Sequence, residues 1–239
     1  IGIENYLNAI KNERLLNSII VTFFFVILVV FFEFLLGFFI ALLLNSIERF
    51  KSIYYFILLL PLLINPIVVG LIWRMFLHPQ LGILNYLLSL LGIDAVNWLG
   101  DPQMAFITII FVDIWHQVSF MIILLLAGLS AIPKEPYEAA RSDGANIIDC
   151  FFHITLPYMR PVIIVTILIR LIFAIKTYDL IYIMTKGGPG DATDLISYYI
   201  YRSAFISLNL GEAAAMSSIL LAIIIFLTLP LFKYMNRSD

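Results

Sequence analysis

Charge is scarce in this chain. Only 13% of its 239 residues are Asp, Glu, Lys or Arg, about half the share found in ordinary soluble domains. The formal net charge of −2 supplies no basic field for nucleic acid. Cys150 is the single cysteine, which excludes an internal disulfide and leaves no companion at metal-ligand spacing. His78, His116 and His153 are scattered and form no HxxxH pair. The chain has no GxxxxGK(S/T) phosphate loop and no GxSxG, HExxH or CxxC, so neither ATP binding nor a catalytic or metal-ligand set is expected of it. The first fourteen residues are polar and make no signal peptide.

Apolar residues are abundant, at 62% of the chain. That composition fits an all-α, polytopic membrane protein. Five stretches are apolar and long enough to span, at 15–44, 53–77, 103–129, 159–185 and 211–233. The first is long enough to tilt or protrude. The gaps at 45–52, 130–158 and 234–239 fall on one side. They and the adjoining span ends hold seven cations: Arg49, Lys51, Lys134, Arg141, Arg160, Lys233 and Arg237. The other side, 1–14, 78–102 and 186–210, holds four: Lys11, Arg14, Lys186 and Arg202. Positive residues stay inside, which makes 130–158 cytoplasmic. Gly37 with Ala41, and Ala213 with Ser217, are small-residue pairs suited to helix packing.

The segment 134–157 is the longest charged interruption. Pro133 and Pro136 favour a helix start, because a first-turn proline sacrifices no hydrogen bond. Glu135 and Glu138 then suit the helix dipole. Ala139, Ala140 and Gly144 present almost no side chain, so another surface can approach closely. Asp143-Gly144 predicts a bend. A second amphipathic helix is predicted over 146–153, with Ile147, Ile148, Phe151 and Phe152 as its apolar stripe. Pro157 is expected to end it and turn the chain into the next span.

Several polar residues fall within or near the spans, among them Glu33, Asn65, Arg74, Asp113, His116, Gln117, Arg170, Lys176 and Asp179. Such residues usually face a bundle interior or a cavity. Pro61 and Asn65-Pro66 predict a kink that frees backbone carbonyls, tolerated only inside protein or along a cavity. Asn65 is therefore the first candidate for a translocation path. Asp113, Trp115 and Gln117 on the third span, with Tyr178 and Asp179 on the fourth, offer aromatic faces, amides and carboxylates that match sugar C–H faces and hydroxyls. Lys176 and Asp179 are spaced for an i,i+3 ion pair. Hydrogen bonding between helices is the competing reading for each of these residues. The run 187–191, Gly-Gly-Pro-Gly-Asp, predicts a tight external turn. Residues 195–208, with three tyrosines, suit an interfacial helix.

The sequence Glu138-Ala139-Ala140, x3, Gly144, x9, Ile154, x, Leu156-Pro157 resembles the EAA loop of bacterial ABC importer permeases at every fixed position. Gly128 to Pro133 before it is similar to the lead-in of the carbohydrate class. Tyr178-Asp179-Leu180-Ile181-Tyr182, Thr185 to Pro189, Thr193, Tyr198 to Tyr201 and Ala204-Phe205 resemble the later signature of sugar permeases. The resemblance runs from about residue 3 to the end. It is nearest to the first permease of maltose, oligosaccharide and glycerol-3-phosphate importers, which usually carry one more span upstream.

The resemblance implies a type I (MetI-like) permease bundle over residues 1–239, with five visible spans and a cytoplasmic coupling helix in 134–157. It also implies that Glu138, Ala139, Ala140, Asp143, Gly144, Leu156 and Pro157 meet an ATPase. The implied partners are a second permease, two ATPase subunits that bind ATP and magnesium, and an extracytoplasmic substrate-binding protein that meets the external region; this chain itself needs no cofactor. The implied location is a prokaryotic inner membrane. A permease for another solute (glycerol-3-phosphate, a polyamine or an amino acid) is the nearest alternative. An ion-coupled secondary transporter is the more distant one; it would need inverted repeats and an ion site, and neither is visible.

Overall fold

A computed structural model describes residues 3–47 and 51–235, with side chains for 3–47 and 52–230. Arg49 and Arg237 lie outside the described residues, as do the side chains of Lys51 and Lys233. The described residues form helices and turns without a strand.

Helix α1 (Glu4–Lys11) stops at Asn12, whose backbone is extended. The Asn12 side chain then caps α2 (Glu13–Ser46) by accepting from the Arg14 and Leu15 amides, satisfying two of the donors a helix start leaves open. At 34 residues and ~1.5 Å per residue, α2 exceeds the thickness of a bilayer core. The second apolar stretch is two helices, α3 (Lys51–Leu63) and α4 (Pro66–Phe76), bent by 93°. The sequence predicted a kink there, and the structure makes it a right angle. A short α5 (Ile83–Leu90) follows, then α6 (Pro102–Ser130), started by an Asp101 cap and Pro102.

The segment between α6 and the next span carries α7 (Glu135–Ser142) and α8 (Ile147–Cys150). A π-turn at Phe151–Thr155 then leads directly into α9 (Leu156–Ile175). Pro157 therefore does not end a helix. It lies in the first turn of α9, and the wider turn before it absorbs the missing amide. Helix α9 breaks at 176–178 before α10 (Asp179–Met184), so Lys176 and Asp179 never share a helix face. No ion pair joins them among the described residues, and the Lys176 ammonium lies over the Phe173 ring instead. Helix α11 (Ile196–Tyr201), a second π-turn (Arg202–Ile206) and α12 (Leu210–Met235) complete the described residues.

Among the described residues, four helical stretches are long and apolar enough to cross a membrane, or five if the α3–α4 pair is one span. The protein is a multi-pass membrane protein. Its core is the α2–α6–α9 bundle. Gly37 lets α2 come so close to α6 that an added Cβ would lie 2.7 Å from the Met121 Cβ. Gly128 does the same for α6 against Val162 of α9. The interfacial helix expected at 195–208 is different in the structure: Tyr198 and Tyr199 are buried against the bundle, while Phe205, Ile206 and Leu208 face outward.

Candidate functional site

The segment 134–157 is a hinged pair of helices held by local hydrogen bonds. Pro136 sits in the first turn of α7 with Glu135 and Glu138. At the other end Gly144 has φ +88. Its amide donates to the Arg141 carbonyl, and the Ala145 amide donates to the Ala140 carbonyl. These are the two bonds of a Schellman stop, which wants glycine at the left-handed position. A Cβ on Gly144 would meet nothing within 4 Å of this chain, so the space around it is open to a partner. Asn146 and Asp149 then cap α8 reciprocally, at 2.9 and 3.1 Å. Tyr137 and Thr155 hydroxyls, 2.9 Å apart, tie α7 to the π-turn.

Glu138, Ala139, Asp143, Gly144, Leu156 and Pro157 are exposed and Ala140 is half-buried. Ile147, at 86% exposure, Ile148 and Phe152 project an apolar stripe away from the bundle, while Cys150 is buried. Phe151, the fourth expected member of that stripe, is half-buried and packs on Phe38.

The second group lies among the spans. Arg170 on α9 donates to both carboxylate oxygens of Glu33 on α2, at 2.5 and 2.8 Å, and to Asp113 on α6. All three side chains are 5% exposed or less. The Asp113 carboxylate is thus engaged by Arg170 inside the bundle, which fits the inter-helix reading of this residue. One turn along α6, the imidazole Nε2 of His116 lies 3.1 Å from the Ile64 carbonyl, at the α3–α4 break. The Gln117 amide donates to His116 Nδ1 at 3.0 Å, which fixes the imidazole as the donor to Ile64. Ser119 donates to the Leu58 carbonyl. Two carbonyls beside the break, Leu58 and Ile64, are therefore met by α6. Asn65 is exposed, and its side-chain oxygen accepts from the Ile67 amide, capping α4.

Trp115 packs edge-on against Trp73, with ring centres 5.4 Å apart. Trp73 also meets Phe111 and Phe76. Tyr178 packs with Tyr182 and Tyr201 at the α9–α10 break, and Asp179 opens α10. The two broken spans meet: Gly70 of α4 packs on Ile183 of α10, and Arg74 donates to the Ile183 carbonyl at 3.2 Å. Sequence reasoning missed Trp73, which looked like any apolar span residue. It also missed that Glu33, Asp113 and Arg170 form one cluster, since their separation along the chain carries no pairing signal.

Outside the spans, the 187–191 turn is held by Thr193, which donates to the Gly188 carbonyl, and by Asn17 of α2, which donates to the Asp191 carbonyl. Asp194 is buried and accepts from Arg202 at 2.6 Å. Burial pushes its carboxyl up to about 6, against the pull of Arg202.

The family described as the binding-protein-dependent transport system inner membrane component matches residues 9–238. The chain belongs to that family. As a member it is a permease, the membrane component of an ABC transporter, a class of subunit that is typically not an enzyme. It is 39% identical over 219 residues to the trehalose/maltose transport system permease protein MalF of Thermococcus litoralis, covering 92% of this chain and 73% of that protein. It is 32% identical to the sn-glycerol-3-phosphate transport system permease protein UgpA of Pectobacterium atrosepticum, covering 100% of this chain and 81% of that protein. A chain of a bacterial alginate ABC transporter, solved in complex with an alginate pentasaccharide-bound periplasmic protein, superposes with a TM-score of 0.91 at 27% identity. That match covers 100% of the permease and 84% of the other chain.

Proposed function

We propose that this permease is one of two transmembrane subunits of an importer that carries a sugar or oligosaccharide across a prokaryotic inner membrane by alternating access. The observation that carries the reading is the exposed, locally stiffened 134–157 segment in a chain of this family. Its small residues and open Gly144 leave room for an ATPase surface. Two ATPase subunits bind ATP and magnesium, draw the coupling segments together and open the pore toward a loaded binding protein; hydrolysis resets it. The permease itself hydrolyses nothing.

Asn65, Trp115, Gln117, Tyr178 and Asp179 are the proposed path residues; Asp113 serves the bundle instead. The sugar assignment draws on the relatives' substrates and on the aromatic faces of Trp73, Trp115 and Tyr178, which suit sugar rings. Glycerol-3-phosphate is the second reading, favoured by the likeness to UgpA. A phosphate wants an unspent cation, and Arg170 is already shared by two carboxylates.

The test is uptake into proteoliposomes holding both permeases and the ATPases, with binding protein outside. Labelled oligosaccharide should accumulate only with internal ATP. Accumulation without ATP, driven by an ion gradient, would overturn the reading, and uptake of glycerol-3-phosphate alone would select the second one.

A further inference from the structure

Helix α1 divides its surface three ways at helical spacing. Asn5, Ala9 and Asn12 face the protein. A Cβ on Gly211 would lie 2.8 Å from the Asn5 amide nitrogen, so α1 sits tightly on the first turn of α12. Ala9 is fully buried with Ile196, Tyr199 and Met216. Asn12 donates to the Tyr199 hydroxyl and to Glu212, at 2.9 and 3.2 Å. Glu4, Asn8 and Lys11, again four and three apart, are exposed and polar. Ile3, Tyr6, Leu7 and Ile10 form a third stripe, exposed and apolar. At ~100° per residue the three stripes point in three separate directions.

The starts of the two spans α2 and α12 fix where α1 sits. Asn12 alone separates it from α2, whose residues Leu16, Ile20 and Phe23 are apolar and exposed. The apolar stripe of α1 immediately precedes that apolar face along the chain. Leu208, three residues before Gly211, is 78% exposed, and its backbone is left-handed at φ 54, unusual for a bulky residue.

We infer that α1 lies along the membrane surface, with Ile3, Tyr6, Leu7 and Ile10 sunk into the lipid at the headgroup–acyl boundary and Glu4, Asn8 and Lys11 in water. A helix with one apolar and one polar outer face takes that position. Glu4, Lys11, Glu13 and Arg14 cancel in charge, so insertion is hydrophobic and needs no anionic lipid. The contact sets the depth at which α2 and α12 enter the bilayer.

The test uses the whole chain, with Cys150→Ser, in phosphatidylcholine nanodiscs. Single cysteines at residues 4, 7, 8 and 10 carry a bimane fluorophore. Lipid spin-labelled near the acyl carbonyl should quench positions 7 and 10 at least threefold more than 4 and 8, and aqueous iodide should give the reverse order. Adding phosphatidylglycerol should not change this. Iodide quenching of 7 and 10 equal to that of 4 and 8 would overturn the proposal. So would shielding of 7 and 10 from both quenchers, which would mean a protein cover. The unmodified chain provides a second measurement. A phosphatidylcholine with a photoreactive diazirine near its carbonyl should leave adducts on Tyr6, Leu7 or Ile10, and adducts confined to α2 would contradict it.

Discussion

Arg170 holds two carboxylates from two other helices at a place where water does not reach. Removing one member of a buried ionic cluster costs about 3–5 kcal/mol, whereas replacing the whole cluster by apolar groups is often neutral. Arg170→Met is therefore expected to abolish recovery of monodisperse protein. Adding Glu33→Leu and Asp113→Leu should restore much of it, as read by size-exclusion yield and melting temperature. Gly144 is constrained by its backbone angle, since a left-handed residue with a Cβ costs about 1–2 kcal/mol. Gly144→Val should leave the bundle folded yet uncouple ATP hydrolysis from uptake, while Gly144→Asn, which tolerates the angle, should retain more transport.

Asp194 carries a pH signature. Its carboxyl is raised to about 6 in the folded chain against an ordinary value near 3.8. The folded state therefore holds the proton more tightly than the unfolded one. The stabilisation is full below about pH 3.8 and is lost as pH rises through about 6. The melting temperature of Asp194→Asn, measured against the parent, should gain relative to it as pH goes from 4 to 7. A difference constant across that range would mean that Asp194 titrates normally.

At the scale of elements, the break between α3 and α4 has the most consequence. His116 and Ser119 tie it to α6, on the same helix that carries Asp113. Asn65→Leu removes the α4 cap, worth about 0.5–2 kcal/mol, and replaces an exposed amide with an apolar side chain. It should cut uptake while the subunits still assemble; normal uptake would remove Asn65 from the path. The break itself was legible, because Pro61 and Pro66 leave no uninterrupted helix. Its right angle was not, since that depends on α4 packing against α10 through Gly70. Pro157 misled for a similar reason: proline marks a helix end only when no π-turn stands before it to take up the lost bond.

At the scale of the molecule, hydropathy and the spacing of polar gaps were enough to find the spans. The EAA-like spacing marked the segment that is proposed to meet an ATPase. What no sequence pattern supplied was which intramembrane charges are spent on each other. Asp113 reads as a candidate ligand beside Trp115 and Gln117, and its contact with Arg170 appears only in three dimensions. On the proposed topology, 134–157 lies across the membrane from 78–102 and 186–210. Cysteines at Asn97 and Asp191 should therefore react with an impermeant reagent in intact cells.

The proposed function turns on the exposed face of α7 meeting an ATPase. Ala139 is exposed on that face, and Ala139→Cys can be crosslinked to single cysteines placed across the ATPase surface in the assembled importer. A crosslink whose yield changes between the nucleotide-free and ATP-bound states is expected. No crosslink to any ATPase position in either state would contradict it.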